Sequence, residues 1–219
     1  MLSDLRLFQL ISPSLPVGAF TYSQGLELAV EQGWVDSQPT FDAWLEGQLL
    51  QSMATLELPI LAKMLDANEA QDSVRLVSLA RDLLAWRETK ELRLEEQQRG
   101  AALARLLPHL DISLDEQQLA ACKLTQLAGI AIAATEWQIT RDKLFAGYLW
   151  SWLENAVMAG VKLIPLGQTQ GQQTLMTLAP RLELAIELAQ QVTEPGSVTP
   201  ALAIASSRHE NQYTRLFRS

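Results

Sequence analysis

Apolar residues recur along almost the whole chain at intervals of three and four. Phe41, Trp44, Leu45 and Leu49 keep one helical face apolar, and so do Leu76, Leu79, Leu83 and Leu84. That spacing matches the turn of an α-helix and not the two-residue alternation of a half-buried strand. No segment shows convincing strand alternation, and no internal repeat is present. The chain is therefore read as all-α, a single-domain helical bundle of about eight to ten helices. Its 219 residues are enough to bury one sizeable core.

Start and stop signals divide the pattern. Ser3 is expected to cap a first helix that ends at Ile11, and a second runs from about Ser23 to Gly33. Ser37, Pro39 and Thr40 open a third. Pro59 is placed in the first turn of another, and Asp72 or Ser73 opens the next. A charged helix covers Thr89–Leu107 and stops at Pro108. The spacing Ser113 to Glu116 fits a capping box opening a helix that runs to about Thr135. Thr140 caps a long helix to Leu163 with Phe145, Tyr148, Trp150 and Trp152 on more than one face. Such a helix is buried on all sides or shared with a second subunit. The last long helix covers about Thr169 to Val192, with Pro180 as a kink or break. Residues 1–192 thus read as the helical domain, and 193–219 as a linker, TEPGSVTP, with a C-terminal tail.

Charge and composition narrow the function. The formal net charge is -8, which argues against a non-specific nucleic-acid binder. No run approaches the roughly 20 apolar residues of a membrane span, and the N-terminus does not read as a signal peptide. A cytoplasmic protein is expected. Cys122 is the one cysteine, so no intrachain disulfide or thiolate cluster can form. The two histidines, His109 and His209, lack partners at metal-ligand spacing. There is no phosphate-binding loop of the G-x-x-x-x-G-K-[ST] type and no G-x-S-x-G turn. Ser206 or Ser207 beside His209 is a poor nucleophile arrangement. The chain is read as no enzyme, with no cofactor.

Three stretches remain. SPSLPVGAFTYSQGLE, Ser12 to Glu27, is stiffened by two prolines and freed by two glycines. It is either a rigid connection with Phe20 packed inside or a surface that groups Tyr22, Gln24 and Glu27. In ENAVMAGVKLIPLGQ, Glu154 to Gln168, Lys162 is a lone cation in an apolar run. It either complements a helix C-terminus or makes a charged contact framed by apolar surface, with Gly160 admitting a partner's backbone. The tail SRHENQYTRLFRS is either a disordered terminus or a segment that folds into a partner's groove.

LPVGAFTYSQGLE, ETKELRLEEQQRGAALARLL, ENAVMAGVKLIPLGQ and AIASSRHENQYTRLFRS, in this order, resemble the signature segments of the urease accessory protein F family. The resemblance covers essentially the whole chain and implies an all-α, homodimeric, non-enzymatic assembly factor. It implies bridging of the D/H-type urease accessory protein and the GTPase accessory protein G, in a complex that delivers nickel to apo-urease. Nickel would be handled by the complex and not bound tightly by this chain; a nickel-binding metallochaperone is the alternative. Lys162 and Glu27 match positions facing the GTPase, and the tail matches a segment that orders against the D/H-type protein. The candidate partner-binding residues are Tyr22, Gln24, Glu27, Glu154, Gly160, Lys162, Arg208, His209, Tyr213, Arg215, Phe217 and Arg218.

Overall fold

The sequence QLAGIAIAA has no polar face, and the helix it forms has none exposed to water: Gln126 through Ala134 are all buried. This helix, α8 (Gln126–Glu136), is the centre of a computed structural model that describes residues 1–219. Before it come α1 (Leu2–Ile11), α2 (Leu26–Glu31), α3 (Gln38–Gln48), α4 (Leu58–Glu69), α5 (Ser73–Trp86), α6 (Lys90–Leu106) and α7 (Glu116–Leu124). After it come α9 (Arg141–Leu163), α10 (Gln168–Gln191) and α11 (Pro200–His209). There is no strand, and no helix is long and apolar enough to cross a membrane. Around α8 stand α4, α6 and α7; α5 covers α7, and α9 packs between α1 and α10.

Several boundaries differ from the sequence reading, each for a local reason. The first helix starts at Leu2, and Ser3 does not cap it. The second is shorter than expected, set off by Gly25 and Gly33, both at positive φ. The capping box is Asp115 with Gln118, two residues beyond Ser113. The helix expected to run through Thr135 breaks at Thr125. That buried hydroxyl accepts from the Leu127 amide and donates to Glu96 Oε2 at 2.7 Å, so it caps α8 and ties it to α6 at once. Pro180 neither breaks nor ends α10. Pro180 and Met176, whose carbonyl it cannot serve, both lie on the exposed side, where water can take the unused acceptor.

Pro59 does sit in the first turn of α4, but α4 is not a separate helix. It is the last part of one rod made of α3, π-helical turns over Leu49–Glu57, and α4. Proline has no N–H for the carbonyl of Thr55, four residues back. The chain repairs this from a distance: Gly196 N–H donates to Thr55 O at 3.0 Å, and Val198 N–H to Gln51 O at 3.2 Å. The stretch read as a free linker is therefore a strap laid along the π turns.

One buried polar cluster joins four elements. The Arg87 guanidinium donates to Glu57 Oε1 at 2.9 Å and to Glu96 Oε1 at 3.0 and 2.5 Å. Tyr148 of α9 donates to the other Glu57 oxygen. Burial opposes the charge on Arg87, but Glu57 and Glu96 outweigh it and raise the pKa well above its ordinary value. Burial, with Glu57 beside it, holds the Tyr148 phenol protonated and a donor.

Two stability predictions follow from this packing. Arg87→Met should cost about 3–5 kcal/mol in urea denaturation, because it leaves two buried carboxylates without a counter-charge. Gly100→Ala should lower the melting temperature, at about 1–3 kcal/mol. A Cβ there would lie 2.2 Å from the Cys122 carbonyl oxygen, where α6 crosses the α7–α8 junction backbone to backbone.

Candidate interaction surface

Residues 210–219 return to the body and pack on it, so the tail is not separated from the domain in this conformation. Helix α11 crosses the opening loop at Gly25, whose φ is +76° and where a Cβ would meet Ala205 Cβ at 3.1 Å. Ser206 lies buried under this crossing, its hydroxyl 2.7 Å from that of Thr89, the cap of α6. It is not paired with His209.

At the end of α11, the fully buried His209 sits between two carboxylates, with Nδ1 2.7 Å from Glu91 Oε2 and Nε2 3.3 Å from Glu27 Oε2. The chain then turns, and Arg215 donates to Glu91 Oε1 at 2.8 Å. The next two amides converge on Glu27, Leu216 N–H to Oε1 at 2.7 Å and Phe217 N–H to Oε2 at 2.9 Å. Arg218 N–H donates to Thr21 O. Ser219 O accepts from the amide and hydroxyl of Ser23, and its own hydroxyl reaches Glu95 Oε2. The tail is thus stitched along the opening loop, α2 and α6.

Beneath the seam, Tyr22 donates to Gln98 Oε1 at 2.7 Å. Burial and Glu95 raise its pKa, so the phenol stays protonated. Gln24, at φ +51°, bridges Glu95 and the Trp152 indole. Arg99 donates to Glu95 from one turn along α6.

Above the seam the side chains face water. Tyr213 is fully exposed, Leu216 74% and Phe20 64% exposed, so Phe20 is not the interior residue that a simple connection would need. Phe217 turns inward, and the Lys162 ammonium stands 5.8 Å from its ring centroid. The surface therefore combines Phe20 of the loop, Lys162 of α9, and Tyr213, Leu216 and Arg218 of the tail. Lys162, Arg208 and Arg218 are exposed and make no ion pair, while the exposed Arg215 is tied to Glu91; the three unpaired cations give this part of an acidic chain a basic cast.

The candidate partner residues divide accordingly. Lys162, Arg208, Tyr213, Arg215 and Arg218 are at the surface, and Glu154 is half-buried on α9. Tyr22, Glu27, His209 and Phe217 are buried, and Gln24 is half-buried; they hold the seam and do not face outward. Gly160 is interior too: it admits the Phe41 ring, where a Cβ would come within 2.2 Å, and not a partner's backbone.

Sequence reasoning missed Ser23, Glu91 and Glu95. Glu91 and Glu95 lie one turn apart on α6, and like charges at that spacing disfavour a free helix. That was the available sign that cations or amides meet them in the fold. No group of three or more His, Cys, Asp and Glu side chains is arranged to hold a metal ion. His109 is exposed, and burial pushes the Cys122 thiol to about 12.

Comparison with known proteins identifies the family. The UreF family model matches residues 35–179. The urease accessory protein UreF of Alcanivorax borkumensis is 50% identical over 222 residues, covering 98% of this chain and 97% of that one. That of Pseudomonas putida KT2440 is 51% identical over 220 residues, covering 100% and 98%. That of Escherichia coli O157:H7 is 45% identical over 217 residues, covering 98% and 97%. The alignments with these relatives span nearly the whole chain, the family model its central part, and the chain belongs to the UreF family of urease accessory proteins.

Proposed function

We propose that this chain is a non-enzymatic scaffold of the cytoplasmic nickel-insertion complex that matures urease. In this reading it bridges the D/H-type urease accessory protein and the GTPase accessory protein G, modulates GTP use, and acts on apo-urease through the complex. One observation carries the proposal: three stretches far apart in sequence, none with catalytic equipment, form a single basic and aromatic surface. Exposed aromatic and arginine side chains on a fixed backbone are the usual makings of interface hot spots. The basic cast suits an acidic patch on the partner. The histidines give little support to direct nickel binding, since both ring nitrogens of His209 already face carboxylates.

The homodimer belongs to the same reading. Helix α9 was expected to be buried on all sides or shared with a second subunit; it buries Phe145, Tyr148, Leu149 and Leu153 within its own chain and leaves Trp150 and Met158 exposed. The exposed apolar residues of α1, Leu2, Leu5 and Phe8, are the larger unburied set. Light scattering at tens of micromolar should give a dimer mass, alone or with a partner. A monomer in both cases would remove the dimer from the proposal.

The surface is tested by co-purification and calorimetry with the D/H-type and GTPase partners. Lys162→Ala should cost about 0.5–1 kcal/mol of stability, the worth of an ammonium over an aromatic face. Its affinity for the GTPase partner should fall about 30-fold or more, as when one member of an interfacial charge pair is lost. Tyr213→Ala should leave the melt unchanged and weaken capture of the D/H-type protein. Wild-type capture by both variants would refute the surface.

A further inference from the structure

Glu27 is too buried for a partner to reach, yet it touches the exposed surface through the tail backbone. A carboxylate accepts at two oxygens and donates nothing. Here it collects two successive amides, and His209 Nε2 stands 3.3 Å from its Oε2. Two neighbouring N–H groups can meet one carboxylate only when the backbone curls around it, so this contact selects a conformation and not a side-chain identity. That curl sends Leu216 outward, Phe217 inward beneath Lys162, and Arg218 towards the loop. The backbone pin at Thr21 uses a neutral carbonyl acceptor, whereas the bonds to Glu27 are charge-assisted. Burial of Phe217 has no direction of its own and does not fix the register.

We infer that Glu27 is the positioning residue of the partner surface: its carboxylate holds Leu216 and Phe217 in the one backbone conformation that presents Tyr213, Leu216 and Arg218 beside Lys162. The inference rests on the surface proposed above. It also assigns Glu27 a role different from direct partner contact.

The test uses the full chain, hydrogen exchange and capture of the two accessory partners. In Glu27→Gln, the amide group can accept one backbone N–H but presents its own donors to the other. Glu27 lies in the first turn of α2, where a neutral glutamine is tolerated, so the body should remain folded. Exchange at the Leu216 and Phe217 amides should rise about tenfold or more while α8 and α9 stay protected, and partner capture should fall. Leu216→Pro deletes one donor with Glu27 intact and should loosen the tail in the same way. Tyr213→Ala should lose capture with tail exchange unchanged. Unchanged tail exchange in both Glu27→Gln and Leu216→Pro would overturn the inference. So would a loosened tail that still captures partners while Tyr213→Ala does not. If all three variants capture normally, the surface itself is wrong, whatever the tail does.

Discussion

A carboxylate taken out of water must be met by donors, and this chain buries five: Glu27, Glu57, Glu91, Glu95 and Glu96. Three lie on α6, and each recruits a different part of the molecule. Glu96 fixes Arg87 and the Thr125 break between α7 and α8. Glu95 holds Arg99, Gln24 and Ser219. Glu91 holds His209 and Arg215. Glu57 and Glu27 complete the set from the rod and from α2. Because each acid is bonded to groups far away in sequence, the charged helix locks the core on one side and the tail on the other.

That arrangement explains what the sequence could reveal. Helices with an apolar stripe or a strong cap were legible, as at Thr89 for α6 and Asp72 for α5. The stop at Thr125 was not, because the apolar pattern continues through it and the break is imposed by Glu96 and by the crossing at Gly100. The opening loop, Lys162 and the tail were recognisable as unusual stretches. Which of their residues face outward was not legible, since Glu27 and His209 look like ordinary surface residues until their partners arrive. Ser23 and Glu95 make contacts 196 and 124 positions away, and no local pattern encodes such distances.

The strap shows the same dependence in the backbone. Residues rich in proline, glycine and small polar side chains usually mark a flexible connector. Here Gly196 N–H fills the acceptor that Pro59 leaves open, and the Lys63 ammonium reaches Thr193 O at 3.3 Å. A backbone group that cannot be satisfied within its own helix thereby fixes the path of a segment more than a hundred residues later. The path matters because it delivers α11 to the crossing at Gly25, and so sets where the tail begins.

The placement of the tail residues then separates those that hold the fold from those left exposed. If the tail were only a stabilising flap, its large side chains would be expected to turn inward together, as buried area is the main return for ordering a chain terminus. Phe217 does so. Tyr213 and Leu216 do not, although the backbone beneath them is held by Glu27 and Thr21 and the adjoining Arg215 by Glu91. The ordering cost is met by hydrogen bonds on the inner side, which leaves an apolar and aromatic outer side unpaired but fixed. A surface ordered in advance loses less entropy when it is covered, and under the proposed function this is what the tail's bonds to the chain's own carboxylates would contribute.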